Sequence, residues 1–336
     1  MLNFKFVICT LLCLALMPAW PGIAQFHNEK FLRAGATISY ENQPDRKFSE
    51  SDSNYHSVKY AFTYRQPIIN VVSKGGDQGA FKLTGLRLNL KASRTDLEMD
   101  FLHENHKLYH AGAGLDFIYF PGRKILYLVN FNANIYQDNY VSGIGDIRYT
   151  GFFMLNYRIN KTVSLKGGLS YSFLFGRGIP LPILGAEFHF KSGTEINLLL
   201  PYYLNVTQKL GNKSTLSLSF KPDGSVYEFS NKGNFIGYDP LIQLRQTSFK
   251  AGLNYAFAFN DNIKIFIEGG IVRHSSVAFS ENKITEKETF FDADVDNGPY
   301  GKAGFIITFG EAPRWGKQNG VNFMLDYDVN RMDIRD

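Results

Sequence analysis

Charged side chains recur at alternating positions within apolar segments of this sequence, and they are the first candidates for chemistry. We expect the following residues to face inward from extended segments: Lys59, Arg65, Arg87, Asp116, Arg148, Arg158, Lys166, Glu187, Lys264, Glu268 and Lys302. Cations outnumber anions in this set. Two interpretations stay open. In the first, the charges pair with one another and fill a narrow interior, as buried charges usually must. In the second, they line a water-filled pore that favours anions.

A second pattern, at residues 292–298, resembles the start of a calcium-binding loop. Asp292, Asp294 and Asp296 alternate along the chain and could point at one cation. However, glycine occupies the seventh position rather than the sixth, and Ala303 stands at the twelfth position, where such loops carry a glutamate. A solvated acidic loop is the simpler interpretation, and a weak external Ca²⁺ site is the alternative. No cofactor is expected.

Three histidines, His110, His189 and His274, are predicted to face inward. A lipid hydrolase would need a histidine together with a serine and an acid at the outer surface. A metal site could be built from His110, His189, Asp116 and Glu187. The only support for it in the sequence is that all four are predicted to lie on inward-facing strand positions. We therefore predict that the protein is not an enzyme.

The segment from Leu108 to Gln137 indicates which elements carry these side chains. Its apolar positions are Tyr109, Ala111, Ala113, Leu115, Phe117 and Tyr119, then Ile125, Tyr127, Val129, Phe131, Ala133 and Ile135. Its other face carries His110, Gly112, Gly114 and Asp116, then Asn130, Asn132 and Asn134. Alternation with period two predicts strands. Arms this long, with tyrosines at both ends of one apolar face, are typical of a transmembrane β-barrel.

Similar segments recur from about residue 31 to about residue 309, without a domain boundary. The predicted strands are 31–40, 57–67, 81–92, 108–120, 125–137, 146–160, 163–175, 183–190, 194–200, 203–210, 214–220, 241–260, 263–274 and 300–309. They number 14, or 12 if the strands with the weakest alternation are not counted. An even number of strands closes an antiparallel barrel. Pro201 cannot donate to a strand ladder, so we place a reversal there. Loops at roughly 41–55, 94–106, 223–240 and 275–297 are predicted to lie outside the cell.

Both ends of the chain differ from its middle. Residues 1–24 read as a cleaved signal peptide, with Lys5 before a short apolar run and Gly22-Ile23-Ala24 at its end. Both cysteines, Cys9 and Cys13, fall inside it, so the exported chain would hold no disulfide. The barrel is predicted over 25–310. Residues 311–336 are either a periplasmic tail or an extra strand, and Phe309 resembles the aromatic signal that the barrel-assembly machinery reads.

Bulk properties narrow the class of protein. The net charge of +5 falls to +4 without Lys5, too mild to favour nucleic acid as a partner. Aromatic residues make up 15% of the chain, with 30 Phe and 19 Tyr, which suits strands and membrane interfaces. No stretch of 18 apolar residues predicts a transmembrane helix.

The chain resembles outer-membrane β-barrel proteins of Gram-negative bacteria, and most of all an uncharacterised family recognised only as a barrel domain of unknown function. The resemblance lies in the leader, the alternating strands, and residues 179–190 (IPLPILGAEFHF) followed by 196–202 (INLLLPY). It implies a bacterial outer-membrane location, with membrane lipid and the assembly machinery as partners. It supplies no catalytic residues.

Three functional hypotheses follow. The first is a structural or interaction barrel that presents its loops outside the cell. The second is a passive, porin-like channel for small, anionic solutes. The third is a soluble secreted β-sandwich.

Overall fold

The computed structural model describes residues 33–309, apart from 50, 76–79, 103–104, 122–123, 142–145, 161, 176, 232–233 and 282–288. The predicted signal peptide, residues 1–24, and the tail, residues 311–336, lie outside the described residues. The described part is all-β and contains no helix, so it offers none that could cross a membrane.

The sheet consists of fifteen strands. They are β1 Gly35–Lys47, β2 Asn54–Gly75, β3 Ala80–Met99, β4 His106–Phe120, β5 Ile125–Asp138, β6 Ile147–Arg158, β7 Val163–Ser172, β8 Ile179–His189, β9 Thr194–Leu200, β10 Tyr203–Lys209, β11 Ser214–Ser230, β12 Leu241–Ala258, β13 Ile263–Glu281, β14 Thr289–Val295 and β15 Gly298–Thr308. The reversal at Pro201 is confirmed, because β9 and β10 pair with each other across it.

The strands form one closed antiparallel ring. Neighbours in sequence pair from β1 to β13, and β15 lies between β13 and β1. β14 and β15 are two halves of one ring position, since β14 pairs with the end of β13 and β15 pairs with its beginning. The barrel therefore has 14 strand positions, as predicted. All fifteen described strands belong to this one closed sheet, so residues 33–309 as described do not form the two packed sheets of a β-sandwich.

The inward and outward faces of the β4–β5 hairpin are as predicted. Phe131 is 53% exposed on the outside, whereas Asn132 and Asn134 are buried on the inside. Asp116 and His110 of β4 are buried on the same inner face. An outer wall of exposed apolar side chains around these buried polar groups reverses the arrangement of a soluble domain. Nearer the turn end the same inner face is apolar, where Leu126 and Leu128 belong to a buried cluster.

The two ends of the barrel differ in length and chemistry. We call the end with the connections at 76–79, 121–124, 159–162, 190–193, 210–213 and 259–262 the turn end, and the opposite end the loop end. The prediction of long loops is largely wrong at all four places, residues 41–55, 94–106, 223–240 and 275–297. Strands run far into them: β1 reaches Lys47, β3 reaches Met99, β11 reaches Ser230 and β13 reaches Glu281.

Bulges explain why sequence alternation missed two of these extensions, those of β13 and β1. On β13, Arg273 pairs with Phe249 but Ser276 pairs with Thr247, so one extra residue is inserted at His274. An inserted residue exchanges the two faces of a strand. Below it Phe266 and Glu268 face inward, and above it Val277 and Phe279 do. A similar shift lies between Gln43 and Arg46 on β1.

His274 itself is exposed, so its predicted inward position is wrong. Its φ angle is +48°, in the left-handed region where histidine is more tolerated than most residues. Its ring centroid lies 6.3 Å from that of Phe249 on the outer wall.

Above the bulges, the interior is filled by an apolar core, which we call the loop-end cluster. Its buried members are Phe48, Tyr55, Leu97, Met99, Leu102, Leu108, Tyr136, Tyr227, Phe229, Ile242, Leu244, Val277, Phe279 and Val295. They come from β2–β5 and β11–β14, with Phe48 and Leu102 beside these strands, and none comes from β6–β10. Phe229 and Phe279 lie at its centre, with ring centroids 5.2 Å apart. The loop end of the barrel is thus a packed core rather than an opening.

The short strands β8–β10 allow β11 to lean across the barrel and close this core. Glu228 of β11 forms a parallel bridge with Gln137 of β5. The Arg148 guanidinium donates a hydrogen bond to the carbonyl of Val226. Gly224 lies so close to Leu174 that a Cβ atom would overlap the carbonyl oxygen of Leu174. Glycine is required at this crossing because two backbones approach each other there.

We predict that Gly224→Val destabilises the barrel by about 1–3 kcal/mol, because the side chain forces β11 away from Leu174. Gly269→Val is the matched control, since Gly269 lies on a strand with no atom within 4 Å of a built Cβ. Urea unfolding followed by gel mobility of the folded form measures both. Equal stability of the two variants would contradict the close approach.

Candidate functional site: the lysine-lined interior

A polar cavity lies inside the barrel below the loop-end cluster, and we call it the central chamber. Its volume is about 80 Å³. Its charged lining consists of Lys59, Lys91, Lys221, Lys250 and Lys302 with Glu41 and Asp223. Its other polar lining includes Thr37, Ser39, Thr63, Ser93 and His110. Five lysines face two carboxylates, so the chamber is strongly cationic.

Strand register brings these side chains together. Glu41 of β1 stands directly opposite Lys302 of β15 and Lys59 of β2. Lys302 in turn stands opposite Glu268 of β13. Directly opposed residues share a face and have Cβ atoms about 4.5–5.5 Å apart. One band of alternating charges thus crosses four adjacent ring positions.

One ion-paired triad spans the interior, and we call it the lumen bridge. Lys250 of β12 is buried and forms ion pairs with both Glu41 of β1 and Asp223 of β11. A second cavity of about 60 Å³ lies on the other side of this bridge and shares Glu41, Lys59, Asp223 and Lys250 with the central chamber. Tyr227, Val277 and Val295 of the loop-end cluster line that second cavity. The two cavities are separated by the bridge.

Only some of the five lysines have a carboxylate partner. Lys250 has two carboxylates, and Lys221 forms an ion pair of 3.0 Å with Glu268. Glu268 also accepts a 2.5 Å hydrogen bond from the Tyr300 hydroxyl. In contrast, Lys59, Lys91 and Lys302 have no carboxylate within 4.0 Å among residues 33–309 as described. The Lys302 ammonium lies 6.0 Å from the ring centroid of Phe266.

Several other predicted inward charges are held in local contacts. Arg87 forms a buried ion pair with Asp116, including a hydrogen bond of 2.9 Å from Nε, and Asn130 also donates to Asp116. Lys166 and His189 each lie 3.0 Å from Glu187. These contacts match the paired-network interpretation.

Arg148 lies at the loop end, bonded to the Val226 carbonyl and 5.6 Å from the ring centroid of Phe173. Arg65, Arg158 and Lys264 are half-buried near the turn end. None of these four lines the central chamber.

Two of the three predicted calcium residues are not in a loop. Asp292 and Asp294 lie on the exposed face of β14, and Asp296 follows that strand and accepts a 2.9 Å hydrogen bond from Ser49. Within the described ranges, no group of three or more His, Asp or Glu side chains is arranged to hold a metal ion. His110 is stacked on Tyr136, with ring centroids 4.3 Å apart, and His189 contacts Glu187.

Sequence reasoning missed part of the central chamber. Glu41 and Asp223 fell in predicted loops because the extensions of β1 and β11 were not recognised. Lys91 and Lys250 alternate with apolar neighbours in the sequence, so strand parity alone predicts that both face inward. The partners of Lys250 could not be predicted from local spacing, because Lys250 and Glu41 are 209 residues apart in the sequence.

Comparisons with known proteins show which family the chain matches and which structures resemble it. The model of a family described as "Domain of unknown function (DUF6268)" matches residues 23–308. No curated protein matches the chain.

Similar solved structures include an outer-membrane channel of Pseudomonas putida F1, described as COG4313, at 8% identity and a TM-score of 0.42, covering 85% of this chain and 100% of that one. The translocator domain of the autotransporter NalP from Neisseria meningitidis is 10% identical, with a TM-score of 0.35 and coverage of 91% and 97%. OccAB4 of Acinetobacter baumannii is 7% identical, with a TM-score of 0.30 and coverage of 84% and 100%.

We predict that Asp116→Ala destabilises the protein by about 3–5 kcal/mol, because it leaves Arg87 buried without its carboxylate. Asp52→Ala is the matched control: it removes an ion pair with Lys47 that is exposed, and exposed ion pairs contribute little to stability. Urea unfolding followed by circular dichroism measures both changes. If the two variants lose equal stability, the Arg87–Asp116 pair is not buried as described.

Proposed function

Because the chain belongs to the DUF6268 family, whose description assigns no role, we propose a function from its geometry: a closed barrel of the bacterial outer membrane that acts as a structural or interaction protein. The observation that carries this proposal is the loop-end cluster, which fills the barrel where an open pore would be widest. In this proposal the loop end faces the outside of the cell and the short connections face the periplasm.

The outer wall supports a membrane location. Large apolar side chains are exposed around the ring, on strands as far apart as β1, β5, β7 and β13. Examples are Ile38, Tyr60, Leu115, Phe131, Phe153, Leu169, Leu184, Leu253, Ile267 and Phe305. Water would penalise such a surface, whereas hydrocarbon solvates it. A closed ring also satisfies the backbone hydrogen bonds that hydrocarbon cannot.

The filled loop end supports a structural or interaction role over free diffusion. The cluster packs buried aromatic and aliphatic side chains of eight strands, with Phe48 and Leu102 beside them, across the interior. Extended strands around it support the described part of the connection between β11 and β12, residues 234–240. Binding surfaces commonly lie on loops held by such a scaffold.

An anion-conducting channel is the second candidate, and the cationic central chamber favours it. Lys59, Lys91 and Lys302 would face the solute, whereas Arg87 and Arg148 are held in local contacts. Conduction in this case requires the loop-end cluster and the lumen bridge to move. The closed barrel remains our first proposal because the structure described here contains both.

We predict that Phe131→Arg lowers the free energy of unfolding from lipid vesicles by about 2–4 kcal/mol, the cost of an arginine near the middle of a bilayer. Ile236→Arg is the matched control. Ile236 is 94% exposed in the connection at the loop end and should tolerate the charge within about 0.5 kcal/mol. Tolerance of arginine at both positions would argue against a wall that faces lipid.

We also predict that the purified protein produces no steady conductance in planar bilayers. Replacing Tyr227, Phe229 and Phe279 together by serine should remove the centre of the loop-end cluster and allow ion flow. Heat-modifiable gel migration must first show that the variant is folded. Steady, salt-dependent conductance of the unsubstituted protein would overturn the closed barrel and favour the channel.

A further inference from the structure

We propose that the central chamber is a binding site for one small tetrahedral oxyanion of the phosphate or sulfate class. This inference goes beyond the proposed function, because a closed barrel needs no ligand. It rests on the side chains around one cavity.

The first argument is electrostatic. Lys302 is only 7% exposed, and Lys59 and Lys91 are half-buried on the same inner wall. In the described part of the chain, none of these three amines has a carboxylate within ion-pair distance. Removing an ammonium group from water costs several kcal/mol unless a counter-charge replaces the lost hydration. Three such groups around one cavity favour an anion.

The nearby carboxylates Glu41, Asp223 and Glu268 supply only part of that counter-charge, because three acids face five lysines. Glu41 stands opposite both Lys59 and Lys302 in the strand register, but its carboxylate forms its ion pair with Lys250. Asp223 forms an ion pair with Lys250 too. The lumen bridge therefore holds the two acids of the chamber together and leaves an excess of positive charge beside them.

The second argument concerns hydrogen-bond donors. The hydroxyls of Thr37, Thr63 and Ser93 line the chamber and make no side-chain hydrogen bond within the described ranges. Together with three ammonium groups, they provide neutral and charged donors on neighbouring strands. An oxyanion with four acceptor oxygens uses such donors, and charge-assisted hydrogen bonds are the stronger kind.

The third argument is size and approach. A volume of about 80 Å³ holds several water molecules, which is room enough for one small anion. The loop-end cluster closes one side. On the other side, Lys264 lies in the same cross-strand row as Thr37, Thr63 and Lys91. This row extends the positive charge of the chamber to β13 on the side away from the loop-end cluster, so we expect the anion to enter from the turn end.

Isothermal titration of the full, detergent-solubilised protein with inorganic phosphate in a phosphate-free buffer tests the proposal. We expect saturable binding that sulfate displaces and that 0.15 M chloride does not abolish. A variant with Lys59→Gln, Lys91→Gln and Lys302→Gln should bind at least tenfold more weakly. The control variant carries Lys47→Gln, Lys107→Gln and Lys213→Gln, which remove the same charge from exposed positions and should bind as the unsubstituted protein does.

Thermal unfolding provides a second readout in case the triple variant folds poorly. Phosphate should raise the unfolding temperature of the unsubstituted protein and of the exposed-lysine control, and should not raise that of Lys302→Gln as strongly. Absence of saturable binding to folded protein would overturn the proposal. So would an equal loss of affinity in the two triple variants, which would indicate a nonspecific charge effect. Neither result depends on whether the barrel conducts ions, so the site and the proposed function fail separately.

Discussion

The closed ring of backbone hydrogen bonds is the constraint on which the rest of this structure depends. The ring closes only where β15 pairs with both β1 and β13. A strand edge exposed to hydrocarbon would leave a row of unsatisfied polar groups, each costing several kcal/mol. Once the ring is closed, each strand must present one face outward and one face inward, and the chemistry of the chain follows from that division.

Unequal strand lengths turn the ring into a barrel with a filled end. β9 and β10 have seven residues each, whereas β13 has nineteen. Above the short strands, β11 crosses to β5, and the ring narrows to the strands that build the loop-end cluster. Below it, the interior is wide enough for polar groups, so Arg87, Lys166 and Lys250 lie there with acidic partners. The same narrowing encloses the central chamber, where the lysines exceed the available carboxylates.

Alternation in the sequence correctly predicted the strands in which each face keeps the same surroundings, outer wall or interior, along the whole strand. Alternation at residues 108–137 placed Phe131 outside and Asn132 inside correctly, and Pro201 located the short β9–β10 hairpin. The prediction failed where the inward and outward faces of one strand exchange along its length. The insertion at His274 exchanges the faces of β13, so the apolar residues above it no longer match the rhythm below. The partners of Lys250 depend on contacts across the interior, which no local spacing records.

Site-directed fluorescence quenching tests the central claim, that outward residues of the lower barrel face lipid while the loop-end cluster is a closed core. A chain that begins at Gln25 contains no cysteine, so single cysteines can carry the probe. Probes at Phe131 and Asn132 should differ sharply, with strong quenching by a lipid-phase quencher only at position 131. A probe at Leu244 should be protected from lipid-phase and aqueous quenchers alike. Equal lipid quenching at 131 and 132, or aqueous quenching at 244 from the loop end, would contradict the account.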